Sequence, residues 1–182
     1  MKLKIWLKYF LPFAIVLRLS GCSHEPFDFY SIPKIDAHSH IYANSPLIME
    51  LAQRDNFKLL SVITESRSQK YIDKQLDFAI YQKESYPNSI YFTTAFSMEE
   101  FCKSDWISTT IKKLRKDFDN GAIAVKVWKD IGMVFQDERG NFIMIDDLAF
   151  DPVLDFIASQ GKTLAAHIGE PEATAAYTTT TF

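Results

Sequence analysis

Along most of this chain, stretches with a period of two alternate with stretches of period near 3.6, and no other feature restricts the fold as tightly. KIDAHSHI (34–41) has the two-residue period of a strand, and SPLIMELAQRDN after it places Leu47, Ile48, Leu51 and Ala52 on one helical face. KLLSVITES precedes a long helical pattern with Ile72, Leu76, Ala79 and Ile80 on one stripe. IYFTTAFS leads into a helix predicted over 105–120, where Ile107, Ile111, Leu114 and Phe118 are spaced four, three and four. AIAVKVW comes next, then FDPVLDFIAS with Phe150, Val153, Leu154, Ile157 and Ala158 on its apolar side, and finally TLAAHIG. Gly121 and Gly161 stand where helices should end, and Asp151 before Pro152 has the form of a cap followed by a first-turn proline.

Five strands in strict alternation with four helices mean a parallel α/β architecture. A barrel and a doubly wound sheet both fit that count. The barrel is favoured because no Gly-rich phosphate turn follows any strand. It is favoured also because polar groups cluster at the carboxyl ends of several strands: His38 and His40, Glu65, Lys126, and His167. The expectation is a partial (β/α)8 TIM barrel of about five β/α units. In Met133 to Asp147, two short apolar runs around Glu138-Arg139-Gly140-Asn141 read as a β-hairpin insertion after the fourth strand. It either covers the mouth of the site or decorates it.

With 182 residues, 47 % of them hydrophobic and 24 % charged, the chain suits a globular domain with one core, and its 15 phenylalanines supply bulk to fill it. A net charge of -3 with scattered Lys and Arg excludes the basic field that nucleic acid requires. IKKLRK (111–116) reads as the solvated face of a helix.

Residues 1–21 belong to a different regime. MKLKIWLK is a positive start, YFLPFAIVL an apolar centre too short to span a bilayer alone, and LSGC a small-residue exit, which is the order of a secretory signal. Leu19-Ser20-Gly21-Cys22 resembles the lipobox of bacterial lipoproteins, which implies that Cys22 is acylated and anchors the protein to an envelope membrane, facing the periplasm or exterior. An ordinary signal or an uncleaved anchor is the alternative. Residues 22–33 then form a tether. If Cys22 is acylated, Cys102 is the one thiol left and no intramolecular disulfide is possible. With no histidine or basic nest beside it, Cys102 reads as a buried or inert thiol.

Strand alternation also sorts the chemistry. Asp36, His38 and His40 share one face of the first strand, with Ile35, Ala37 and Ile41 on the other. In the fourth strand Ile123, Val125 and Val127 oppose Ala124, Lys126 and Trp128, and in the fifth Leu164, Ala166 and Ile168 oppose Ala165, His167 and Gly169. If the aliphatic faces pack on helices, then His38, His40, Lys126 and His167 point into the barrel. A lysine there needs an acidic partner or a modification. A lone H-x-H fits a structural pair as well as a metal, but a third imidazole on the matching face suits a divalent metal, zinc above all, whose acidified water is the usual nucleophile. Asp36 is the candidate orienter behind these ligands. Glu170 either faces the site or caps the next helix, and Glu65 reads as a surface residue.

DAHSH after the first strand, GAIAVKVWKDIGM on the fourth and LAAHIGEP on the fifth resemble the amidohydrolase superfamily, closest to its amidohydrolase-related branch of metal-dependent barrel hydrolases and decarboxylases. The resemblance runs from about Ile32 to Pro171 in the family's order, so 34–171 is taken as the barrel portion. It implies that His38 and His40 are the first-strand metal ligands and His167 the fifth-strand histidine. It also implies that Lys126 is a bridging, substrate-binding or structural lysine. The implied activity is hydrolysis of an amide, ester or lactone in a small-molecule substrate, or non-oxidative decarboxylation. The family's sixth-strand histidine and eighth-strand aspartate have no counterpart, since only EATAAYTTTTF follows Pro171. A full barrel takes ~250 residues. The chain is therefore expected to be a truncated barrel with a non-family tail at 172–182, whose open strand edges invite self-association. A lipid-anchored fragment without catalysis is the rival reading.

Overall fold

The computed structural model describes residues 27–167 and 169. The signal and lipidation site at 1–22, much of the tether, Glu170 and the tail at 172–182 lie outside the described residues. None of the described helices is long and apolar enough to cross a membrane.

Five strands, β1 (Lys34–Ser39), β2 (Phe57–Ser61), β3 (Ile90–Ala95), β4 (Ala124–Val127) and β5 (Thr163–Ala166), pair in parallel in chain order and curl into a half-barrel. The order never reverses, which separates this sheet from a doubly wound one. With right-handed crossovers, such an order lays the connecting helices on one face. Those helices are α1 (Pro46–Arg54), α2 (Gln69–Ser85), α3 (Trp106–Asp119), a single turn α4 (Asp130–Met133) and α5 (Asp151–Ser159).

The core lies between sheet and helices as three apolar clusters rather than the single one expected. Leu59 and Ile90 pack with Met49 and Ala52 of α1. Ile63 and Phe92 pack with Ile72, Leu76 and Ala79 of α2. Val125 and Val127 pack with Leu114 of α3 and Val153, Phe156 and Ile157 of α5. Phe118 touches the last two clusters. Around Phe150 the rings of Phe96, Phe101 and Trp106 stand 5.1–6.0 Å away, and the Trp106 indole N–H donates to the Ser97 carbonyl at 2.9 Å.

The helical stripe of α1 is turned the other way. Met49 and Ala52 are buried, whereas Leu47, Ile48 and Leu51 are 61 %, 41 % and 41 % exposed. Spacing identifies residues that share a face, not which face meets the sheet. Here α1 packs on β2 and β3 through Leu59 and Ile90, and Ile35 of the edge strand β1 stays exposed. In α3 the buried line is Trp106, Thr110, Leu114 and Asp117, rotated from the predicted one so that Ile107 faces out. Asp151 lies in the first turn of α5 and makes no capping bond; a 3-10 turn over Leu148–Phe150 precedes it. Gly121, with φ of 102°, follows α3 in the left-handed conformation that favours glycine.

Between β4 and α5 the structure has one antiparallel bridge, Gln136 with Phe142, rather than paired strands. Its turn is held by Asp137, whose carboxylate accepts the backbone N–H groups of Arg139 and Asn141 at 2.8 Å and the Asn141 amide at 3.1 Å. These bonds hold the Asp137 carboxyl below its ordinary pKa, the Asn141 side chain contributing most.

Candidate metal centre

The carboxyl end of β1 carries His38, and His40 follows the strand's last residue. Their rings meet edge to face, centroids 4.9 Å apart. The Nδ1 of His40 lies 2.9 Å from the Val62 carbonyl. A carbonyl only accepts, so Nδ1 carries the proton and Nε2 keeps its lone pair. The Tyr42 hydroxyl donates to the same carbonyl at 2.6 Å and lies 2.9 Å from the Thr64 hydroxyl. Burial raises the Tyr42 phenol above its ordinary pKa.

Lys126 in β4 is 5 % exposed, between Val125 and Val127, which face the helices. Desolvation alone lowers its pKa, and among the described residues no carboxylate is paired with it. His167 extends β5 by donating its backbone N–H to the Val127 carbonyl at 3.0 Å. Its ring stands edge-on to Trp128 at 5.4 Å.

Lys126, His40 and His167 all act on His38. Partial desolvation lowers the His38 pKa, the nearby Lys126, His40 and His167 lower it further, and Asp36 works in the opposite direction. Although His38 as a residue is exposed, its ring thus lies within the electrostatic reach of β4 and β5. A neutral imidazole with an available lone pair is the form a metal takes. Among the described residues, however, no group of three or more His, Cys, Asp or Glu side chains stands close enough to hold one ion. His38 and His40 form the close pair.

Asp36 accepts the backbone N–H of His38 at 2.9 Å through Oδ1, so it fixes the strand's main chain next to the ring. Glu65 is not a loose surface carboxylate: Oε1 accepts the backbone N–H groups of Ser66, Arg67 and Ser68 at 2.8, 2.5 and 3.3 Å and shapes the entry to α2. Cys102 is an exposed thiol on the loop before α3. Two features escaped the sequence reading. Tyr42 continues the alternation of Asp36, His38 and His40, so its spacing was a usable signal. Asp130 and Arg67 pair from positions far apart in the chain, for which spacing has no signal. Comparison of the chain with protein-family models, with curated proteins and with solved structures returns no match.

Proposed function

We propose that this protein is a metal-dependent hydrolase of the amidohydrolase-related type, acting on an amide, ester or lactone, with its five β/α units forming part of a (β/α)8 barrel. The observation that carries the reading is the electrostatic convergence of His40, His167 and Lys126 on His38 at the carboxyl ends of three strands. Imidazole nitrogens suit a divalent ion such as zinc, and the proposed holders are His38, His40 and His167, although the three side chains do not stand close enough together here to form one ligand group. When bound, the ion supplies a Lewis acid that polarises the substrate carbonyl and acidifies water. The chain's own residues prepare for this. Partial desolvation and then Lys126 bias His38 towards its neutral form, and the Val62 carbonyl favours the His40 tautomer with Nε2 available.

A second reading, non-oxidative decarboxylation, draws on Lys126. A desolvated ammonium with no acidic partner among the described residues suits a substrate carboxylate. The lipobox-like LSGC adds a place, a lipid anchor in a bacterial envelope.

The test is cobalt(II) titration of the full chain followed by visible absorption, beside His38→Ala and His167→Ala, with a panel of simple esters, lactones, amides and aromatic carboxylates. A histidine-dependent cobalt spectrum and metal-dependent turnover are expected. A spectrum unchanged in both variants would sink the reading, and turnover of the carboxylates alone would favour the second one.

A further inference from the structure

The hydrogen-bond count behind His40 can be closed atom by atom. The Val62 carbonyl has two lone pairs and two neighbours, His40 Nδ1 at 2.9 Å and the Tyr42 hydroxyl at 2.6 Å. The Tyr42 hydroxyl has one proton, and its shortest contact is to that carbonyl. The Thr64 hydroxyl, 2.9 Å from the Tyr42 oxygen, is then the donor and the phenol the acceptor. Nothing is left to donate to His40 Nδ1, which lies 3.4 Å from the phenol oxygen, so that nitrogen must carry the hydrogen itself. The Tyr42 ring lies beside the imidazole at 28° and 6.2 Å between centroids.

We infer that Tyr42, fixed by Thr64, is a positioning residue that acts through the Val62 carbonyl: its hydroxyl holds that carbonyl against His40 Nδ1, and the carbonyl in turn keeps His40 in the Nδ1–H tautomer with Nε2 directed away. This rests on the metal-site reading for its purpose, since a ligand imidazole oriented through its other nitrogen binds metal more tightly. Its geometry does not depend on that reading. The chain Thr64 to Tyr42 to Val62 carbonyl also ties the end of β1 to the segment leaving β2. Any shift of that segment is therefore felt at the ring of His40.

The experiment uses the full 182-residue chain, labelled with nitrogen-15, and reads histidine tautomers from long-range proton–nitrogen correlations without added metal. Wild type should show His40 with Nδ1 protonated and Nε2 bare. Tyr42→Phe, which keeps the ring and removes the hydroxyl, should show a mixture of tautomers. Thr64→Val should show a smaller change, and Tyr81→Phe on the exposed side of α2 none. Cobalt(II) affinity should fall about tenfold in Tyr42→Phe, in keeping with loss of a group that orients a ligand. A wild-type His40 protonated on Nε2, or a Tyr42→Phe protein with wild-type tautomer and cobalt affinity within about twofold, overturns the inference. If wild type binds no cobalt, the metal reading fails, while the tautomer comparison still decides the role of Tyr42.

Discussion

Arg67 and Asp130 grip each other at two points, Nε to Oδ2 at 2.5 Å and Nη2 to Oδ1 at 3.2 Å. The pair joins the loop between β2 and α2 to the turn after β4, across the end of β3. Its two halves sit in different surroundings: the Arg67 side chain is 58 % exposed and that of Asp130 6 %. Hydrogen bonding to Asp130 raises the Arg67 pKa.

That asymmetry sets the first prediction. Arg67→Ala strands a buried carboxylate and should destabilise the fold by about 1–3 kcal/mol, whereas Asp130→Ala leaves a guanidinium able to hydrate and should cost less than the arginine variant. Urea unfolding midpoints of the two variants compare them directly. Equal losses would mean that the pair acts through attraction alone rather than through the burial of Asp130.

Lys126 should cost stability where Arg67 adds it. Its folded pKa is lowered by desolvation, so between the folded and unfolded values the unfolded chain binds more protons. Stability should therefore rise with pH through that window, up to the ordinary lysine value of about 10.4. Lys126→Met should stabilise the chain at neutral pH, on the order of 1–3 kcal/mol, with an advantage that shrinks as pH climbs. Thermal unfolding of both proteins across alkaline pH checks the slope. A methionine variant that is less stable at every pH would show that the ammonium has a partner in the folded protein.

Phe150 is fully buried with three aromatic neighbours in its cluster. Phe150→Ala should lose about 3–5 kcal/mol. The Trp106 emission should shift to longer wavelength before unfolding begins, because water enters beside the indole. A loss under 1 kcal/mol would mean the cluster collapses around the gap.

The LSGC segment carries a prediction about place. Cys22→Ser should release the protein from bacterial membranes into the soluble fraction, and mass spectrometry of wild type should find a lipid on Cys22. An unmodified N-terminus elsewhere would refute the anchor.

Much of the layout was legible because strand alternation is a short-range signal. Val125 and Val127 met the helices and Lys126 turned from them, as the period of two required. The same period runs through His38 and His40 to Tyr42. What was not legible depends on partners distant in sequence. The face of α1 that meets the sheet is decided by Leu59 of β2 and Ile90 of β3, and Leu47, Ile48 and Leu51 carry no mark of it. The reading of Met133 to Asp147 as a hairpin counted apolar runs. The chain there is organised by one aspartate taking several N–H groups, and a single bridge is all the pairing that results. Glu65 and Asp137 are local cases of another kind: each side chain binds backbone N–H groups one to four residues on, and neither apolar period nor strand alternation marks such a bond.

The edge-on contact of Trp128 with His167 has an optical consequence. An indole in touch with an imidazole changes its emission when that imidazole takes an ion or a ligand, so the protein carries a built-in gauge of its own site. Trp106, sealed among phenylalanines, supplies a steady reference in the same spectrum. If His167 takes an ion, as proposed, the event can be followed in unlabelled Trp6→Phe protein as a change in the Trp128 signal against that of Trp106.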